Sequence, residues 1–127
     1  MKLLLTAGAN TDVYDYDHLT PLAAAVFADD NNIVKMLVNS GADVNRLVKH
    51  NYSALHHAAW NGNIEAVQLL LYSGARDDDR TDDGNTPLAF AAHGGFNDVL
   101  ELFIRRGCHV NNSDKSVLLK LLFFLFI

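Results

Sequence analysis

The sequence predicts an all-α solenoid assembled from one helix–turn–helix unit used several times. Three observations carry that expectation. The first is a 33-residue period, at which Gly8, Gly41, Gly74 and Gly107 recur. Thr20, Ser53 and Thr86 recur at the same interval, as do Leu22, Leu55, Leu88 and Leu121, and Ala25, Ala58 and Ala91. Four series with one period and no slippage mark a repeat architecture, in which each unit buries its apolar face against its neighbours. The second is an apolar i, i+1, i+4, i+5 spacing: Ile33, Val34, Leu37, Val38, then Ala66, Val67, Leu70, Leu71, then Val99, Leu100, Phe103, Ile104. That spacing draws one stripe along a helix and does not fit a strand. The third is the punctuation between stripes, where glycine and short polar residues gather at fixed offsets.

Each element follows in order. Thr20, Ser53 and Thr86 are N-cap residues, because their hydroxyls accept from an otherwise orphaned backbone N–H. Pro21 and Pro87 stand at the first helical position, where a missing N–H costs nothing. The first helix of each unit is alanine-rich (Ala23–Ala25, Ala58–Ala59, Ala91–Ala92), which lets neighbouring helices approach closely. A polar break follows, and then a second helix with Asn caps and early acids such as Glu65 and Asp98, suited to the positive end of the helix dipole. Gly41, Gly74 and Gly107 end the second helices in a left-handed conformation. Eleven residues separate each of Gly41 and Gly74 from the next cap and predict a hairpin-like turn, most clearly at Asp83-Gly84-Asn85. The units are therefore residues 20–52, 53–85 and 86–118. A partial unit, residues 1–19, contributes a second helix and turn. Residues 119–127 form a hydrophobic tail.

Composition narrows the classes. The 127 residues carry 10 Lys plus Arg against 15 Asp plus Glu, a net charge of −5. No basic excess or patch marks a phosphate-neutralising protein, so nucleic acid is not an expected partner. The single cysteine, Cys108, excludes an internal disulfide framework and fits a reducing compartment, hence an intracellular protein of cytoplasm or nucleus. The Met1–Ala9 start has too short an apolar run for a signal peptide. Val117–Ile127 holds ten apolar residues in eleven, against the roughly 20 that a membrane helix needs, so no membrane association is expected. Thirteen of the fifteen acids are Asp, a residue of caps and turns.

The chain resembles the ankyrin repeat family. The resemblance rests on Thr86-Pro87-Leu88-Ala89-Phe90-Ala91-Ala92-His93-Gly94-Gly95, on Ser53-Ala54-Leu55-His56-His57-Ala58-Ala59-Trp60-Asn61-Gly62, and on Ser40-Gly41-Ala42-Asp43-Val44-Asn45. It covers roughly residues 1–114 and implies L-shaped units with projecting turns, stacked into an ankyrin-repeat solenoid. The motif histidine is kept only as His56, with Ala23 and Ala89 in its place elsewhere. His18 and Asn51 stand where the turn usually has the glycine seen at Gly84, so those turns are expected to be less regular. Leu119-Lys120-Leu121 replaces the capping motif and Phe124 falls on the small-residue position, where a ring overpacks. The tail is either a degenerate closing helix or, as the favoured reading, a truncation product.

No motif nominates catalysis, a metal or a cofactor. The six histidines lack zinc-ligand spacing. Asp79, Thr81 and Asp83 occupy positions one, three and five of a calcium loop only if Phe90 stands where a bidentate Glu is required. Cys108 follows a helix C-terminus, which disfavours a thiolate, and no Ser, phosphate-loop or dinucleotide motif occurs. His56 reads as a hydrogen-bonded helix-start residue. Leu37 followed by Asp43-Val44-Asn45 resembles the pattern recognised by the asparaginyl hydroxylase that acts on ankyrin repeats, making Asn45 a possible hydroxylation site or else a turn-ordering residue.

The resemblance implies a non-enzymatic protein–protein interaction module that binds through turn tips and first-helix faces. From the turns it selects Tyr14, Tyr16, Lys49, Tyr52 and Arg80. The exposed first-helix positions are expected to be Phe27, His57, Trp60, Asn61, Phe90 and His93. Tyr, Trp and Arg are enriched in interface hot spots, and Trp60 is the leading residue, with partial burial against a neighbouring repeat as its alternative. The partner's identity and the oligomeric state are left open. The alternative is a fragment of a larger adaptor or scaffold, for example a ubiquitin-ligase substrate adaptor, without its effector segment.

Overall fold

A computed structural model describes residues 20–107 of the chain. The expected partial unit 1–19, the end of the unit 86–118 and the tail 119–127 lie outside the described residues, as do Tyr14 and Tyr16. Among the described residues six α-helices pack in three successive pairs: α1 (Pro21–Phe27) with α2 (Asn31–Asn39), α3 (Ala54–Asn61) with α4 (Ile64–Tyr72), and α5 (Pro87–Gly94) with α6 (Asn97–Arg105). The first helices pack in a row, α1 on α3 and α3 on α5, and the second helices form a parallel row, α2 on α4 and α4 on α6. Among the described residues there is no strand, only an isolated bridge between Val48 and Tyr52.

The local rules hold at the first helices. The side chains of Thr20, Ser53 and Thr86 accept from the N–H groups of Ala23, His56 and Ala89 at 3.1, 3.2 and 3.2 Å. Two second-helix caps depart from expectation. Asp30, not Asn31, caps α2, and Phe96 stands at the α6 cap with no side-chain hydrogen bond. Asn63 caps α4 as expected. α2 and α4 close in the same way: Gly41 donates to Val38 and Ala42 to Leu37, and Gly74 donates to Leu71 and Ala75 to Leu70. This double bond returns the chain under its own helix and requires the positive φ that glycine adopts without strain.

The core is the seam between the two rows. Leu55, Leu70, Leu88, Val67, Val99 and Phe103 are fully buried, with Ala25, Ala58 and Ala91 at the close approaches. A polar ladder locks the first two units together. Asn61 donates to the Val26 carbonyl and the Asp29 carboxylate, and Asn63 donates to Asp29 and Asn31. Asp29 takes a positive φ of 54° at the position where the next units have Gly62 and Gly95. In the third unit the ladder ends, because Phe96 occupies the Asn63 position and lays its ring between Gly62 and Gly94.

Candidate functional site: turn tips and a row of aromatic rings

The first helices carry their rings in two columns set by the repeat. Phe27, Trp60 and His93 are equivalent positions in the last turn of α1, α3 and α5, and all three are exposed, Phe27 by 51% and Trp60 by 59%. One helical turn earlier, His57 and Phe90 occupy the equivalent inner positions. The exposed placement expected for these two is corrected, since His57 is 8% and Phe90 5% exposed. The reason is tertiary. The ring of Tyr52, arriving from the preceding turn, stacks between them, with centroids 5.1 Å from His57 and 5.6 Å from Phe90 at 13° to each. Phe27 covers His57 at 3.9 Å, and Trp60 meets Phe90 edge-on at 5.3 Å. Five rings thus form a continuous strip across all three helix pairs, with only Phe27 and Trp60 standing well into solvent. Partial burial of Trp60 against the neighbouring unit is real, yet most of its surface is open.

His57 of the strip and His56, which sits edge-on to Tyr52 and Phe90, differ in their partners. His56 accepts the Ser53 N–H on Nδ1 at 3.0 Å, completing a capping box. Its Nε2 faces the carbonyls of Asp79 and Asn85, both at 3.0 Å, which fixes the neutral tautomer with the proton on Nε2. It is the helix-start residue expected, and it also ties the following turn to α3. Burial pushes its pKa below the ordinary value, while the two carbonyls and the Asp79 carboxylate pull the other way. His57 has no such partners. Its Nε2 is buried without a hydrogen bond, and burial, reinforced by the neighbouring His56, lowers its pKa to about 4.

The turns project beside the strip. Val48 donates to the Tyr52 carbonyl at 2.7 Å and Asn51 to the Val48 carbonyl at 3.0 Å; Thr81 and Gly84 repeat both bonds 33 residues later at 3.0 and 2.8 Å. The turn at Asn51 therefore closes like its neighbour, but with two successive left-handed residues, His50 at φ 66° and Asn51 at φ 63°. Such backbone is strained for non-glycine residues. Asp82 of the next turn offsets the strain: its N–H donates to the His50 carbonyl at 3.0 Å, and its carboxylate accepts from Asn51 at 2.8 Å and faces His50 Nδ1 at 3.3 Å. Lys49 and Arg80 are exposed on the turns, Tyr52 is half-buried, and Asn61 is committed to the ladder. Sequence reading missed Asp29 and Asp82 as hubs. The 33-residue register was the available signal, since it sets each of them opposite a polar partner in the adjoining unit.

Asn45 bridges units in the same manner. Its Nδ2 donates to the Gly74 carbonyl at 3.1 Å and its Oδ1 accepts from the Arg76 N–H at 2.7 Å. Asn45→Ala is expected to cost about 0.5–1.5 kcal/mol, the net worth of hydrogen bonds whose Arg76 and Gly74 partners are exposed and can turn to water. Urea denaturation read by circular dichroism measures it. A variant within 0.3 kcal/mol of the parent, by the same order-of-magnitude scale, speaks against that role.

Comparison with known proteins agrees with the geometry. The sequence matches the family profile of ankyrin repeats (3 copies) over residues 1–82 and 55–120. An ankyrin repeat protein of fowlpox virus (strain NVSL), FPV223, is 31% identical over 106 residues, covering 84% of this chain and 74% of the viral protein. The potassium channel AKT1 of rice (subspecies indica) is 37% identical over 82 residues, 65% of this chain and 9% of the channel. An E3 ubiquitin-protein ligase of rice (subspecies japonica), XBOS34, is 36% identical over 103 residues, 79% of this chain and 20% of the ligase. The chain thus spans most of the viral relative but a small part of the channel and the ligase. With the period, the paired helices, the capping motif and the profile match in agreement, the chain belongs to the ankyrin repeat family.

Proposed function

We propose that the chain is a protein-interaction module whose docking face is the aromatic strip together with the adjoining turn tips. Ankyrin repeats are in general protein–protein interaction modules and in general are not enzymes, and among the described residues no helix is long and apolar enough to cross a membrane. The observation that carries the reading is the pair of large rings left in solvent, Phe27 and Trp60, on a row of helices whose other apolar groups are buried. Exposed aromatics on a rigid, otherwise packed surface are the residues that anchor interfaces. The neutral His56 ring is already committed at both nitrogens, to the Ser53 N–H and to the Asp79 and Asn85 carbonyls.

The test is Trp60→Ala. The ring rests edge-on against Phe90, so the fold loses about 1 kcal/mol, whereas affinity for a captured partner drops at least tenfold on the order of a hot-spot loss. Isothermal titration of parent and variant, with circular dichroism as the folding control, decides it. Unchanged affinity in a folded variant removes Trp60 from the interface.

A second reading is that these units are part of a larger adaptor or scaffold. It is favoured by the small share of the channel and the ligase that the chain spans. Retention of partners by the isolated chain separates the two, since a module keeps them and a fragment needing an effector segment does not act alone. On either reading we place the protein inside the cell, in cytoplasm or nucleus, and keep Asn45 as a candidate for hydroxylation. Its side-chain amide is engaged at both ends, so an enzyme has to open the 45–76 seam to reach it.

A further inference from the structure

α3 and α5 are equally buried in unequal company. Residues Ala54 to Ala59 of α3 are all buried, and α1, α4 and α5 pack around them. Residues Pro87 to Ala92 of α5 are all buried as well. Six consecutive helical residues face every direction around the axis, so α5 is closed on all sides. Yet among the described residues only α3 and α6 pack closely against it. α1 also has two described neighbours, α2 and α3, and it leaves Pro21 and Ala24 half-buried. The ring columns point the same way. Phe27 covers His57 and Trp60 meets Phe90, so each outer ring meets the inner ring of the next unit. His93 is the outer residue of the third unit and is exposed, and the 33-residue period sets Phe123 at the inner position that follows.

We propose that the apolar segment 117–127 of this chain covers the remaining side of α5 and continues the row of first helices. The period sets residues 120–127 against Pro87–Gly94, the eight residues of α5. All of them except Lys120 are apolar, so the segment offers an apolar side at whatever angle it meets α5. Covering α5 takes both surfaces out of water, as a neighbouring unit does inside a solenoid. Phe123 follows His57 and Phe90 in the inner column, and Phe126 follows Phe27, Trp60 and His93 in the outer one. Phe124 falls where Ala25, Ala58 and Ala91 make the close approaches, so its ring holds the segment farther from α5 than α3 stands. A second copy of the chain is the competing occupant. Attachment to α6 through the same chain favours the segment, because it meets α5 at an effective concentration on the order of millimolar. This inference stands apart from the docking-face reading, which the Trp60→Ala comparison tests separately.

Photocrosslinking of the full chain tests the contact directly. Phe123 is replaced by the photoreactive p-benzoylphenylalanine, which keeps an aromatic ring at the position. Irradiation of dilute protein should join it to α5 of the same chain, as read by peptide mass spectrometry, with no covalent dimer on a denaturing gel. Hydrogen exchange supplies the second measurement. In full-length Phe123→Gln/Phe124→Gln the amides of Pro87–Gly94 should exchange about tenfold faster than in the parent. Those of Pro21–Phe27 should stay within about twofold, because the end of a solenoid opens locally. Crosslinks that miss α5, or no crosslink at all, overturn the assignment. A covalent dimer joined through α5 puts a second copy on this side and also overturns it. Unchanged exchange of α5 in a folded Phe123→Gln/Phe124→Gln variant does the same. Should that variant fail to fold, the crosslink decides alone.

Discussion

Gly62→Ala and Gly94→Ala are both expected to destabilise the protein, and only one of them should be rescued by removing the Phe96 ring. A Cβ at Gly62 would meet Cδ1 and Cε1 of Phe96 well inside van der Waals contact, and a Cβ at Gly94 would meet Cε2 and Cδ2 on the opposite edge. The ring is held between the two glycines, so a push from either side drives it into the other. Overpacking of this kind costs about 1–3 kcal/mol. Gly62 adds a second cost, because its φ of 68° places any L side chain in the left-handed region at a further 1–2 kcal/mol, roughly. Gly94 ends α5 with no positive φ, so an alanine there is otherwise a better helix former by up to about 1 kcal/mol. Urea midpoints measured in parent and Phe96→Ala backgrounds give the comparison. In the Phe96→Ala background Gly94→Ala should become neutral or stabilising, while Gly62→Ala should still cost about 1–2 kcal/mol, the backbone share. Full rescue of both, or of neither, contradicts the slot as described.

Stability is expected to fall as the pH drops below about 6.5, and His57 should account for most of the fall that histidines contribute. Its folded pKa of about 4 lies under the ordinary 6.5, so the folded state prefers the neutral ring. Between those values the unfolded chain binds more protons. The contribution is therefore fully present above pH 6.5 and is lost as the pH falls towards 4, to at most about 3 kcal/mol for a shift of this size. His56 acts in the same direction, since a proton on Nδ1 breaks its bond from the Ser53 N–H. His57→Phe is the decisive variant, because Phe90 already fills the equivalent site one unit on. It deletes the orphaned Nε2 and the titration together. We expect it to be about 1 kcal/mol more stable than the parent at pH 8 and to lose much less between pH 7 and 4.5. Urea denaturation at the two pH values provides the measurement. A His57→Phe variant that weakens as steeply as the parent overturns the assignment to His57.

Some of this face was legible before any fold was known, and some was not. Trp60, Phe27 and His93 were legible as exposed because a residue in the last turn of a first helix points away from the seam, and the period carries one such position into the next. His57 and Phe90 misled because their exposure is decided by Tyr52, whose ring reaches them from another segment and closes over both. Asp82 looked like one acid among many in a solvated turn. Its role as the brace for two left-handed residues depends on His50 and Asn51 lying 31 to 32 residues away.

The sequence by itself determined the unit. Caps, prolines, apolar stripes and terminal glycines act within four or five residues, and a fixed period copies their effect from one unit to the next, so helix order and stacking follow from local chemistry. Only the tertiary structure decided what the stacked surface offers. The slot that holds Phe96, the lone nitrogen of His57 and the pairing of turn to turn arise between units, where the neighbouring side chain sets burial and hydrogen bonding and no local pattern specifies it.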